Sequence, residues 1–246
     1  MKQTRWYIRL AGSLILLSSV SYLIQIAVFH RTEDTFFYMF QDIAFVPIQV
    51  LFVTLIISEL MSRREKLSMI KKMNMVVGVF FSEVGTGLLR YFSAFDEKFE
   101  EIRGNLLIAS DWSEQRFHGS MKFFRTCHYM IDLGKGDLDA IRTFLVEKRA
   151  DMLALMENPN LLEHESFTDL LMSVSHLTDE LNARKDLKGL AKPDRDHIAL
   201  DIKRAYMLLI IEWLSYMKHL KEDYPFLFSF AVRTNPFDPN ASVEIK

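Results

Sequence analysis

Histidines and carboxylates are plentiful in this chain, but few stand at spacings that bring them together. His176 and Glu180 are four residues apart, as are His197 and Asp201, so each pair shares one face if the segment is helical. Asp194 and His197 have the carboxylate-x-x-His spacing with which carboxylate bundles ligate two metals. Glu83 and Glu212 are further glutamates that such a centre could recruit. The pattern is incomplete, because a two-metal bundle needs a second unit of the same order. His176 precedes Asp179 and Glu180 instead of following them. Ordinary ion pairing and helix capping account for all of these residues, so the sequence predicts no metal, no cofactor and no catalytic residue.

Other chemistry is less well supported. Cys127 and His128 are adjacent, and neighbours on a helix point in different directions, so neither activates the other. His164 lies between Glu163 and Glu165 at an expected helix start, where a capping or solvated role is ordinary. LGKGD at 133–137 lacks the glycine frame and the Gly-Lys-Ser/Thr ending of a phosphate loop. Serine-elbow, kinase and dinucleotide motifs are absent from the sequence. The expectation is a protein that is not an enzyme. A metal-dependent membrane-associated enzyme ranks behind two other readings.

A different class of chemistry is suggested by polar residues inside apolar runs. Leu10–Phe29 holds no charged residue, and Phe36–Leu60 follows after six residues. Each run is long enough to cross a hydrocarbon core as a helix, which takes about 20 apolar residues. Within the second run, Asp42 and Gln49 are seven apart and share a face, and Pro47 removes a backbone hydrogen bond between them. Gln25 stands in the first run, with Ser13, Ser18, Ser19 and Ser21 as further candidates for helix–helix contact. A carboxylate in lipid faces protein or water. Gln25, Asp42, Pro47 and Gln49 are therefore candidate pore or helix-interface residues. The competing reading puts Asp42 at the outer headgroup level, where it snorkels or caps its helix. Glu83, in the apolar segment Asn74–Leu89, is a candidate buried polar site in the cytosolic part.

The surrounding elements follow from charge and periodicity. Lys2, Arg5 and Arg9 precede the first run; Arg63, Arg64, Lys66, Lys71 and Lys72 follow the second; the turn holds Arg31 beside Glu33 and Asp34. The positive-inside rule then puts both termini in the cytoplasm of a multi-pass protein of the cell inner or plasma membrane. The first run is longer than a signal-peptide core of ~7–15 residues, so a retained anchor is expected. From Glu59 to Lys72 nothing breaks the helix, which predicts continuation beyond the bilayer.

After that, Asn74–Leu89 reads as a glycine-interrupted core helix, Tyr91–Leu107 as an amphipathic helix with Asp96 on its solvated face, and Trp112–Asp132 as another helix. Gly134 is the expected C-cap and Asp137 the next N-cap. Leu138–Met156 continues as helix to the stop at 158–160, then come Leu161–Leu190, Asp194 as a cap, and a last helix over Arg195–Lys221. Period-two alternation is too short anywhere to build a sheet.

The fold class expected is thus an all-α integral membrane protein: a two-helix transmembrane hairpin (1–60), a cytosolic helical bundle (61–225) and an aromatic, proline-containing tail (226–246). A formal net charge of -2 gives no concentrated basic face, so nucleic acid is not an expected partner. A single cysteine excludes an intramolecular disulfide. The expected partners are the lipid bilayer, further copies of the chain, and a cytosolic protein. A self-associating membrane protein, in one form an ion-conducting homo-oligomeric channel, is the first reading; a non-conducting anchored signalling or scaffold protein is the second.

Overall fold

The computed structural model describes residues 2–30, 32–159, 161 and 164–244. The readings at Arg31, Asn160, Glu163 and the last two residues of the tail lie outside the described residues. The described part is all-α, with one isolated bridge, Asp96 to Ile131, as its extended pairing. It divides into two compact units, Met1–Lys66 and Leu67–Lys246.

The first unit is built on α1 (Lys2–Phe29) and the opening of α2 (Thr32–Phe80). Both helices are long and apolar enough to cross a membrane, and none of their apolar windows is buried within the chain. His30 ends α1 in the left-handed region at φ 50, donating its N–H to the Ile26 carbonyl at 3.0 Å. That closes the last turn in the manner of a left-handed C-cap, and histidine is among the side chains that accept this conformation more readily. Glu33 and Asp34 in the first turn of α2 face the positive end of its dipole. The helix runs through Pro47, and from Glu59 past Lys72 it continues as the absence of breakers there predicts.

In the second unit α2 widens into a π turn at Phe81–Gly85 before α3 (Thr86–Ser93). The Thr86 N–H reaches back to the Phe81 carbonyl, and its hydroxyl donates to the same oxygen at 2.7 Å. A Cβ on Gly85 would lie 2.6 Å from the Phe81 ring and 2.8 Å from that of Phe80. The glycines here make room for aromatic rings. Val77, Phe80, Phe81, Val84, Leu88 and Leu89 are all buried, so 74–89 is a core segment of the bundle.

Three predicted helices are shorter in the structure; that expected over Leu161–Leu190 runs from Glu165 to Ala183. Helix α3 stops at Ser93, and 99–105 holds only the short α4 (Phe99–Ile102) with a 3₁₀ turn after it. The cause is Asp96, which is buried and not on a solvated face. Its Oδ1 accepts the N–H groups of Lys98 at 3.0 Å and Met130 at 3.4 Å, while Glu97 N–H donates to the Met130 carbonyl at 2.8 Å. Helix α5 (Glu114–Thr126), capped by Ser113, likewise ends before Cys127, which is extended. The Thr126 hydroxyl and the Tyr129 hydroxyl satisfy its last carbonyls, at Phe123 and Phe124. Gly134 therefore caps no helix, whereas Asp137 caps α6 (Leu138–Glu147) by accepting the Ala140 N–H at 2.9 Å. A break at Lys148 separates α6 from α7 (Arg149–Met156).

The centre of the unit is α9 (Lys192–Asp223), against which α8 (Glu165–Ala183), α5, α3 and α10 (Pro225–Arg233) pack. Along α9, Ile198, Ile202, Ala205, Tyr206, Leu209 and Trp213 are buried, and α8 supplies Leu170, Leu171, Val174, Leu177 and Leu181. The segment read as a tail contains α10 and folds back. Phe237 lies edge-on to Trp213 at 5.0 Å, and the Asn235 amide donates to the Leu106 carbonyl at 2.8 Å.

Two outcomes follow from this packing. A Cβ on Gly136 would sit 2.4 Å from the buried Phe95 ring, whereas nothing lies within 4 Å of a Cβ on Gly119 in α5. Gly136→Ala should destabilise the fold by about 1–3 kcal/mol, and Gly119→Ala should stabilise it by up to about 1 kcal/mol, as read by thermal melts followed by circular dichroism. Burial raises the Asp96 carboxyl above the usual 3.8. The folded state then holds that proton more tightly than the unfolded one, so the group's contribution is present below pH 3.8 and is lost as pH rises through the raised value. Relative to the wild type, Asp96→Asn should gain stability over that window, measured by denaturant titration at successive pH values.

Candidate functional site

Polar groups gather at one place in each unit. In the first, the Tyr22 hydroxyl donates to Asp42 Oδ2 at 3.4 Å, tying α1 to α2. A groove of about 480 Å³ opens beside this pair, lined by Leu14, Leu17, Ser18, Ser21, Tyr22, Gln25 and Asp42. Ser18, Ser21 and Asp42 are exposed on the surface of the hairpin. Ser21 also bonds back to the Leu17 carbonyl at 2.9 Å, so its hydroxyl oxygen keeps acceptor capacity toward the groove. A second groove of about 460 Å³ is lined by Gln41, Asp42, Ala44 and Phe45.

The structure thus brings Gln25 and Asp42 together. Pro47 and Gln49 line neither groove, although Gln49 shares a helix face with Asp42. Tyr22 was missed by sequence reasoning. Its signal was the spacing Ser18, Ser21, Tyr22, Gln25, a polar stripe at three- and four-residue intervals on one side of α1. Glu83 is not a buried polar site. It is exposed and pairs with Lys148 Nζ at 3.3 Å, because the π turn carries it to the rim of the core; Lys148 in turn reaches Asp151 at 3.2 Å.

In the second unit the residues cluster where α8 meets the start of α9. His164 caps α8, its Nδ1 accepting the Phe167 N–H at 3.3 Å. Asp194 does not cap α9. Ala191 takes that position, with Pro193 two residues on in the first turn. Instead Asp194 receives a bidentate Arg184 guanidinium, at 2.6 and 3.1 Å, and that same guanidinium donates to Glu180 Oε2 at 2.6 Å. The hydrogen bonds from Arg184 hold both carboxyls below their usual range. Arg142 extends the clip, donating to the Arg184 carbonyl at 3.1 Å and to Asp139 at 2.6 Å.

One turn further along, His176 Nε2 and His197 Nε2 stand 3.4 and 3.3 Å from the same oxygen, Asp201 Oδ2. His197 Nε2 is also 3.6 Å from Glu180 Oε2, and His176 Nε2 is 4.0 Å from Glu180 Oε1. Donor atoms of His176, Glu180 and His197 lie within 4.8 Å of one another. Asp201 is 2% exposed, its Oδ1 accepts from Arg204 at 3.2 Å, and its Oδ2 has no hydrogen-bond partner. Sequence spacing found both His/carboxylate pairs. The convergence of the two pairs on one atom depends on the register of α8 against α9, which spacing within one helix does not encode.

Fold and sites together define an all-α protein with two helices long and apolar enough to cross a membrane, followed by a helical bundle. The chain belongs to the family of the uncharacterized protein MJ1433: the N-terminal helical domain of that family matches residues 2–61, and its C-terminal helical domain matches 69–233. The uncharacterized protein MJ1433 of Methanocaldococcus jannaschii is 43% identical over 246 residues, an alignment covering 100% of this chain and 98% of the relative. No solved structure matches the chain.

The Arg184 clip yields a direct test. Arg184→Ala leaves the Glu180 and Asp194 carboxylates and the Glu180 carbonyl without the Arg184 donor and should cost about 1–3 kcal/mol, seen as a lower thermal midpoint, while Arg149→Ala on the exposed Asp179 pair should cost at most about 1 kcal/mol.

Proposed function

We propose that this is a self-associating membrane protein whose hairpin assembles through the polar groove around Asp42, with both termini on the cytoplasmic side. The observation that carries this reading is the position of the Tyr22–Asp42 pair. Tyr22 lies six residues inside the Val28 end of the apolar window Arg9–Val28, about 9 Å at 1.5 Å per residue. An aspartate side chain is too short to span that depth to the headgroups. Ser18, Ser21 and Asp42 face outward from a single hairpin, where lipid offers them no hydrogen bond. A second copy presenting the same groove supplies partners to both sides at once. Interhelical hydrogen bonds of this kind are worth about 0.6–2 kcal/mol each in membranes.

Conduction is less well supported than association. A pore needs polar groups along the whole length of a lining helix, and the grooves gather theirs in one half of the hairpin, without Gln49. The helical bundle then serves as the cytoplasmic module, which in this reading presents its surface to a cytosolic protein partner. The basic residues flanking the two apolar runs support that sidedness.

Mass measurement of single complexes in lipid nanodiscs tests the assembly. The wild type should be oligomeric. Ser18→Leu/Ser21→Leu, which fills the groove, and Asp42→Ala, which removes its carboxylate, should each weaken association by about 5- to 30-fold, the equivalent of about 1–2 kcal/mol. A monomeric wild type at all protein-to-lipid ratios would refute self-association.

A further inference from the structure

We infer that His176, Glu180, His197 and Asp201 bind one divalent transition-metal ion, of the zinc type, that pins α8 to the first turns of α9. The residues are two imidazoles and two carboxylates, the nitrogen and oxygen donors that suit zinc and its neighbours. Donors about 2.0–2.2 Å from a tetrahedral centre stand about 3.3–3.6 Å from one another. The two Nε2–Oδ2 separations, 3.4 and 3.3 Å, are edges of that size; Glu180 would ligate through Oε1, 4.0 Å from His176 Nε2, because its Oε2, 3.6 Å from His197 Nε2, is held by Arg184.

A proton explains the geometry less well. A histidinium donating to a carboxylate makes a bond of about 2.7–2.9 Å. Neither ring does so here, and Asp201 Oδ2 is left without a hydrogen bond in a residue only 2% exposed. An unpaired buried carboxylate oxygen is expensive. Among the described residues three buried side-chain oxygens lack a partner, Asp96 Oδ2, Tyr206 Oη and Asp201 Oδ2; the ion pairs put imidazole nitrogens beside the last of them alone. A cation between Asp201 Oδ2 and the two imidazole Nε2 atoms satisfies all three at once.

The outer contacts suit such a site. Arg204 holds Asp201 by Oδ1 and leaves Oδ2 pointing at the rings, and Arg184 holds Glu180 by Oε2 and leaves Oε1 available. Supporting contacts of this kind orient metal ligands. Asp194 balances Arg184, so three carboxylates face two guanidiniums and the site is anionic before an ion enters. Both histidines are 46% exposed, which gives the ion an entry path from solvent. Four protein donors leave no open position for a substrate, so the role is structural and not catalytic. The inference is independent of the membrane assembly.

The test is titration of the full-length protein, purified in detergent and stripped with a chelator, with Co²⁺ and then Zn²⁺. One Co²⁺ per chain should bind with the intense visible bands of four-coordinate cobalt, Zn²⁺ should displace it, and Zn²⁺ should raise the thermal midpoint. His176→Ala and His197→Ala should each weaken binding at least tenfold, while His219→Ala, which removes an imidazole paired with Asp223 further along α9, should leave it unchanged. Both test histidines are half exposed, so these variants should fold, as circular dichroism will verify. A wild type that binds no Co²⁺, losses below tenfold in both histidine variants, or an equal loss in His219→Ala would each overturn the assignment.

Discussion

The apolar seam between α8 and α9 fixes everything else in the 67–246 unit. Leu170, Leu171, Val174, Leu177 and Leu181 on one helix, and Ile198, Ile202, Ala205 and Leu209 on the other, are all fully buried. Side chains this tightly enclosed allow one register, because sliding either helix would open voids that cost several kcal/mol. The polar residues sit at the edge of that seam and inherit its register. Arg184 bridges Glu180 and Asp194 across it, and the two imidazoles meet over Asp201 because the leucine and isoleucine rows beneath them are locked. The chemistry at the surface is a by-product of packing below it.

A different constraint governs the hairpin. Its apolar windows are not buried within the described residues, and in the proposed reading lipid covers the leucines, isoleucines and phenylalanines while a second copy meets the serines and Asp42. The Tyr22–Asp42 contact meets only part of the carboxylate's hydrogen-bonding capacity, since one donor at 3.4 Å serves a group with two oxygens. In the proposed assembly, this residual demand is the physical ground for association.

The large features were legible in the sequence because they rest on local rules. Length and apolarity mark α1 and α2, and three- and four-residue spacing marks the buried faces of α8 and α9. The Asp137 cap follows from residue type at a helix start. What was illegible depends on contacts distant in sequence. Tyr91–Leu107 has a good amphipathic pattern, yet Asp96 turns inward to hold the backbone of Met130 and the helix breaks. Glu83 sits in an apolar segment, yet the π turn rotates it out to Lys148. Asp194 has the residue type of a cap, yet Arg184 captures it. At the candidate sites, Asp42 and Gln25 were readable as polar intrusions. Tyr22 as their partner, and the meeting of His176 with His197, required the helices to be placed side by side.

The central claim is that copies of the hairpin meet along the groove at Ser18, Ser21 and Asp42. Disulfide trapping in native membranes addresses it most directly, with Cys127 replaced by Ser and one cysteine introduced per variant. Ser21→Cys should give covalent dimers on addition of an oxidant, and Leu23→Cys, exposed on the other side of α1, should not. Equal cross-linking at both positions, or none at Ser18→Cys and Ser21→Cys alike, would contradict the account.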